Sequence, residues 1–202
     1  MADVLQQVEE GLRAAFGEPE ARASVTFLGT DRIEVLRFLA PEDRLVRYAT
    51  LGMSGAPMTD PAALVADVEE GPRAELVLSV RVEGAETDGV LRALAVLAAS
   101  PQVEGVVLAP GAALELGEPL WPRAPFTSVL VAEPGGLVPD VALPPGPSGT
   151  AREPVRILPV LPMTANEAAW KRVHGAEALQ ERWLRHGTDL RDPHRASVPL
   201  TD

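Results

Sequence analysis

The sequence predicts an α+β fold, a central mixed and largely antiparallel sheet flanked by helices in a single compact domain. Three observations lead there. Strand-like apolar runs broken by turn residues fill most of the chain from Ser24 to Pro162, while apolar residues at helical spacing occur only at the start, around Gly89 and near the end. The 202 residues, 46% hydrophobic and 23% charged, are enough for one core and leave no room for a disordered or coiled-coil reading.

Val4, Val8, Leu12 and Phe16 recur every four residues with Leu5 beside them, and Gly17 stands where a left-handed cap would end an amphipathic helix. Strand-like runs then begin near Ser24, with Gly29, Thr30 and Asp31 supplying a turn between VTFL and IEVLRFLA. The turn residues Pro41, Glu42 and Asp43 fold Ile33 to Leu51 into an antiparallel hairpin. Two glycines, two prolines and an Asp mark Gly52 to Pro61 as a loop, after which RAELVLSVRV reads as a strand. Thr87 or Asp88 is expected to cap a helix from about Gly89 to Ala99 that Ser100 and Pro101 end, followed by a buried strand from Val103.

Between Pro110 and Pro162 there are 12 prolines in 53 residues, a density expected to confine strands to edges or short pieces. Two runs there still read as extended, FTSVLVAE from Phe126 and VRILPVL from Val155, whereas Leu143 to Thr150 reads as a linker. Thr164 and Glu167 fit a capping box that starts a final helical region. Ala169, Val173, Ala176, Leu179 and Trp183 form its apolar stripe, Gly175 is positioned to split it, and Gly187 to end it.

Charge and residue types exclude several functions. The 29 acidic and 18 basic residues give a net charge of -11, which repels phosphate backbones, so no nucleic-acid partner is expected. Residues 1 to 150 hold 22 acidic and 10 basic side chains, against 7 and 8 in the remainder. Without cysteine there is no disulfide, thiolate site or cysteine nucleophile. The start lacks the features of a signal peptide, and the apolar stretch from Val90 to Ala99 is too short to span a membrane, so a cytoplasmic protein is expected. His174, His186 and His194 match no metal-ligand spacing, so no metal and no cofactor is expected, and His186 reads as a helix C-terminal residue. Ser54 falls short of a nucleophile elbow because position 56 is Ala56, and Gly146 to Gly149 lies in a Pro-rich loop. No phosphate-binding loop is present. The carboxylates of Glu69, Glu70 and Glu75, and of Glu83, Glu86 and Asp88, read as solvated acidic faces.

Three segments carry a family resemblance: YATLGMS at Tyr48 to Ser54, RAELVLSV at Arg73 to Val80, and NEAAWKRVHGAEAL at Asn166 to Leu179. In order and spacing they resemble the suppressor of fused domain family. EPLWP at Glu118 to Pro122, FTSVLV and the Pro-rich approach to VRILPVLPM are similar to its bacterial, actinobacterial-type members. The resemblance runs from about Ile33 to Gly187, and the chain is expected to divide into an N-terminal helix over 1–22, a suppressor of fused-like domain over 23–187 and a C-terminal tail over 188–202. It implies a non-catalytic protein-binding module rather than an enzyme. The animal relatives capture an extended peptide between two domains, of which this chain is expected to span only the first. Bacterial members include proteins thought to neutralise polymorphic toxins, and an acidic chain suits a basic toxin as partner. A regulatory or scaffold role without a toxin is the alternative, and an unrecognised enzyme is the third. The expected partner-binding residues are Tyr48, Thr50, Gly52, Met53, Ser54, Trp121 and Pro122, with the aromatic rings as anchors. The competing reading makes Trp121 a plug of the core.

Overall fold

A computed structural model of the protein describes residues 4–27, 31–59, 71–82, 87–146 and 149–201. The turn expected at Gly29 and Thr30, and the carboxylates of Glu69, Glu70, Glu83 and Glu86, lie outside them. Among the described residues seven strands make one mixed sheet in the order β1-β2-β3-β4-β7-β6-β5: β1 Ala21–Val25, β2 Ile33–Ala40, β3 Leu45–Leu51, β4 Arg73–Arg81, β5 Ala113–Glu115, β6 Phe126–Val131 and β7 Val155–Thr164. All neighbouring pairs are antiparallel except β4 and β7. Four described α-helices flank it: α1 Val4–Phe16, α2 Val90–Glu104, α3 Ala165–His174 and α4 Ala176–Arg185. The α+β expectation is met.

Alternation along the strands sends side chains to two faces. On one face Val46, Tyr48, Leu76, Leu78 and Val160 pack beneath α2 in the largest core cluster. On the other, α1 sets Val8 and Leu12 against Leu36, Phe38 and Val77, while α4 sets Leu179 and Trp183 against Leu130 and Met163. Gly17 ends α1 as its spacing predicts, at φ 84° with its N–H on the Arg13 carbonyl. The β2–β3 hairpin also forms as predicted, through a 3-10 turn at Pro41–Asp43 and Arg44 in the left-handed region at φ 55°.

Proline behaves differently from expectation in two places. The α2 helix runs through Pro101 to Glu104, because the Ser100 hydroxyl donates to the Leu97 carbonyl (2.7 Å), the acceptor that an N–H at position 101 would have used. The strand expected from Val103 is absent as a result, and Val103 is 63% exposed. Thr87 does not cap α2, whose N-cap Gly89 makes no side-chain bond. Nor are the strands of the Pro-rich stretch all peripheral, since β7 is ten residues long, lies inside the sheet and contains Pro159 and Pro162. It changes partner at Pro159: Val155 to Pro159 pair with β4, and Val160 to Thr164 pair with β6. Pro162 turns its carbonyl to the Arg195 guanidinium (2.6 Å), so a guanidinium stands in for a neighbouring strand there.

Gly175 separates α3 from α4, as expected. The apolar stripe is real on α4 and fails on α3, where Ala169 is exposed, Val173 is 77% exposed and the buried residues are Glu167 and Ala168. The segment after Gly187 is packed rather than a loose tail, because Arg195 and Val198 are buried against α3 and α4.

Candidate partner-binding site

The segment from Tyr48 to Ser54 leaves the sheet at the end of β3 and turns sharply. Gly52 makes that turn at φ 140°, and a Cβ there would lie 2.6 Å from the Arg32 carbonyl oxygen, so only glycine fits. The turn closes on the fully buried Glu75 carboxylate of β4. One oxygen accepts from the Gly52 N–H (2.8 Å), the Ser54 N–H (2.9 Å) and the Ser54 hydroxyl (2.6 Å), and the other from the Thr50 hydroxyl (2.6 Å). Thr50 in turn accepts the Leu76 N–H (2.8 Å). Arg73 holds the outside of the turn through the Ser54 and Gly55 carbonyls (2.7 and 2.9 Å). Burial pushes the Glu75 pKa up, with hydrogen bonds from Ser54, Thr50 and Gly52 pulling against it. Both of its oxygens are engaged by the chain and sealed from water.

The solvated reading of Glu75 is therefore wrong. A charge inside an otherwise apolar strand, RAELVLSV, was the available signal, because a strand covered on both faces has no solvated position.

Tyr48 is also buried, its hydroxyl 2.6 Å from the Thr87 hydroxyl in the turn before α2. Trp121 is 3% exposed and meets Phe126 at a ring separation of 5.5 Å. The two aromatics thus stand on either side of the 87–89 turn, since a Cβ on Gly89 would lie 3.0 Å from Pro122 and 3.3 Å from the Trp121 backbone. The structure buries Tyr48, Thr50, Gly52, Met53, Ser54 and Trp121, and the burial of Trp121 favours its reading as a plug of the core. Pro122 alone is exposed, on the rim of a groove of about 300 Å³ with Arg92, Glu118 and Pro119. Met53 lies elsewhere, lining a wider groove of about 610 Å³ with Met58, Pro101, Gln102 and Asp31.

A second buried carboxylate gathers the end of the chain. The capping box forms as predicted, with the Glu167 N–H on the Thr164 hydroxyl (3.3 Å) and the Thr164 N–H on the Glu167 carboxylate (2.9 Å). Glu167 also accepts two bonds from Arg195 (2.7 and 2.9 Å), one from the Trp183 indole (3.1 Å) and one from the Val198 N–H (3.0 Å). Burial raises its pKa, but Arg195 and the Val198 and Thr164 amides outweigh that and hold it below the ordinary carboxylate range. No local sequence signal links Glu167 to Arg195, 28 residues away.

Among the described residues no three His, Cys, Asp or Glu side chains are grouped to hold a metal. His174 stacks on Trp170 at 4.2 Å, and His186 stands at the α4 C-terminus. No described helix is long and apolar enough to cross a membrane.

Comparison with known proteins follows the same architecture. The family described as Suppressor of fused protein (SUFU) matches residues 29–196. This chain belongs to the suppressor of fused family. A putative suppressor of fused homolog from Neisseria gonorrhoeae is similar at 18% identity and a TM-score of 0.65, with 98% of this chain and 97% of that one covered. A chain of the Sufu-Fu complex is similar at 14% identity and a TM-score of 0.63, with 97% and 92% covered. Drosophila Suppressor of Fused, at 14% identity and a TM-score of 0.57, is matched over 96% of this chain and 50% of its own. No curated protein sequence matches. These likenesses establish the fold.

Proposed function

We propose that this chain is a non-catalytic, cytoplasmic protein-binding module of the suppressor of fused type. The observation that carries the reading is the likeness of its fold, over 97% of its length, to a chain seen in complex with a protein partner. Both buried carboxylates support a scaffolding rather than a catalytic role, since each is enclosed by donors from the chain itself.

Within that reading the partner docks on the rim formed by Pro122, Arg92, Glu118 and Pro119. Tyr48 and Trp121 act from beneath it by fixing the 87–89 turn, and the Glu75-centred turn of Thr50, Gly52, Met53 and Ser54 holds the neighbouring end of β3. The net charge of -11, concentrated in residues 1 to 150, suits a basic partner, and a toxin neutralised by this chain as an immunity protein is the finer proposal. The test is affinity capture of the tagged full chain from its own host, with parent and Pro122→Asp compared. A basic toxin captured by the parent and lost in the variant is the expected result. Capture of a regulatory protein instead removes the immunity role and keeps the module; capture unchanged by Pro122→Asp removes the rim.

A further inference from the structure

The two faces of the sheet are covered unequally. Beneath α2 the core is continuous, whereas the opposite face has two separate covers, α1 over β2 and β3 and the α3–α4 pair over β6 and β7. Between these covers a groove remains. Leu45 of β3, Val77 and Ser79 of β4, and Pro159 and Leu161 of β7 line a groove of about 240 Å³ together with Arg47, Leu137, Leu190 and Arg191. Cavities on the order of 150 Å³ already hold a benzene-sized group, so an aliphatic side chain has room here.

The groove's charge is opposite to that of the molecule. Arg47 lies over the Phe16 ring (5.2 Å) and bonds Asp43 through one terminal nitrogen (3.0 Å), while its Nε is shut from water with no acceptor among the described residues. Arg191 is half exposed; its backbone N–H bonds Asp189 (3.1 Å) and its guanidinium reaches the same carboxylate through Nε alone (3.3 Å), while that carboxylate makes a shorter bond of 2.6 Å to Arg81. Each guanidinium carries five N–H donors in a fork that matches a carboxylate. An apolar floor between two incompletely engaged guanidiniums complements an aliphatic side chain adjoining an acidic one.

We propose that this groove is a docking site for an extended acidic segment of another protein, in which aliphatic residues alternate with Asp or Glu. The aliphatic side chains enter over Val77 and Leu161, and the carboxylates meet Arg47 and Arg191. Alternation turns every second, apolar side chain into the groove and leaves the carboxylates on the outer side, from which their flexible chains reach back to the two guanidiniums. The site is separate from the Pro122 rim and does not rest on the basic partner proposed there.

The test is titration of the isotope-labelled full chain with an acetylated and amidated LELEL peptide, against an LKLKL control, by amide chemical shifts. LELEL is expected to bind saturably and move the amides of Leu45, Ser79, Leu161 and Leu190, with LKLKL at least about tenfold weaker. Arg47→Gln and Arg191→Gln should each weaken LELEL by about tenfold. Leu137→Glu, which sets a carboxylate in the mouth, should weaken it at least as much. Arg191 and Leu137 are exposed enough for their variants to keep the fold, so the result does not depend on the stability of Arg47→Gln. Equal affinity for the two peptides, shifts centred elsewhere, no binding of LELEL, or an unchanged affinity in Arg191→Gln overturns the proposal.

Discussion

Glu75 and Glu167 are both fully buried, both anchored in or next to a sheet strand, and both used to fasten a distant segment. They differ in what surrounds them. Glu75 is held by hydroxyls and backbone amides, with no guanidinium bonded to it among the described residues, so burial dominates and its carboxyl titrates high. Glu167 has the Arg195 guanidinium in contact and titrates low. The comparison teaches that burial alone does not set the state of a carboxylate, because the partner's charge decides whether desolvation is answered.

The largest break in this comparison should come from the charged site. Arg195→Leu leaves the Glu167 carboxylate buried without its cation and the Pro162 carbonyl without a donor, and should destabilise by about 3–5 kcal/mol in urea unfolding. Loss of the 188–201 packing should appear together with it, as amide exchange at Val198.

Glu75→Leu should follow, at about 2–4 kcal/mol, because the Gly52 and Ser54 amides and two hydroxyls lose their acceptor inside the molecule. Glu75→Gln retains a carbonyl for three of those donors and should lose less than about 1.5 kcal/mol at neutral pH. Equal losses for Leu and Gln would show that volume, not hydrogen bonding, holds the turn.

The two sites should also respond oppositely to pH. With its folded pKa raised, Glu75 contributes full stability below the ordinary carboxylate value, and that contribution declines as pH rises through the raised value. Glu167, with a depressed pKa, contributes above the ordinary value and loses the contribution as pH falls through the depressed one. Unfolding midpoints followed from acid to neutral pH should therefore lose their upper decline in Glu75→Gln and their acid decline in Glu167→Gln. A parallel change in both variants would mean that the two carboxyls titrate alike.

The smallest effect is expected from Thr164→Ala, which removes the capping hydroxyl but leaves the Arg195 pair, at about 0.5–2 kcal/mol. A loss as large as that of Arg195→Leu would make the cap, and not the ion pair, the organising contact.

These sites also show how far the residues could be read in advance. The Thr164–Glu167 box is legible because both halves of each bond lie within four residues, where helix geometry fixes their approach. Glu75 shares its donors with residues more than twenty positions away, and Glu167 meets Arg195 across 28, so neither environment has a local pattern. The motif at Tyr48 to Ser54 could be picked out by its residues, but only stacking showed that it wraps a carboxylate instead of facing a partner.

By itself the sequence determined what spacing and turn chemistry control: α1 and its glycine end, the β2–β3 hairpin, the capping box, the break at Gly175, the α+β class and the acidic balance. These depend on contacts between near neighbours, which any fold of the chain must satisfy. Tertiary structure alone decided that Ser100 carries α2 past Pro101, that β7 keeps two prolines inside the sheet by changing partners, that Tyr48 and Trp121 are covered, and that two buried glutamates titrate in opposite directions. Burial and charge pairing depend on which elements stack and which side chains arrive from elsewhere in the chain, and adjacency along the chain does not encode that arrival.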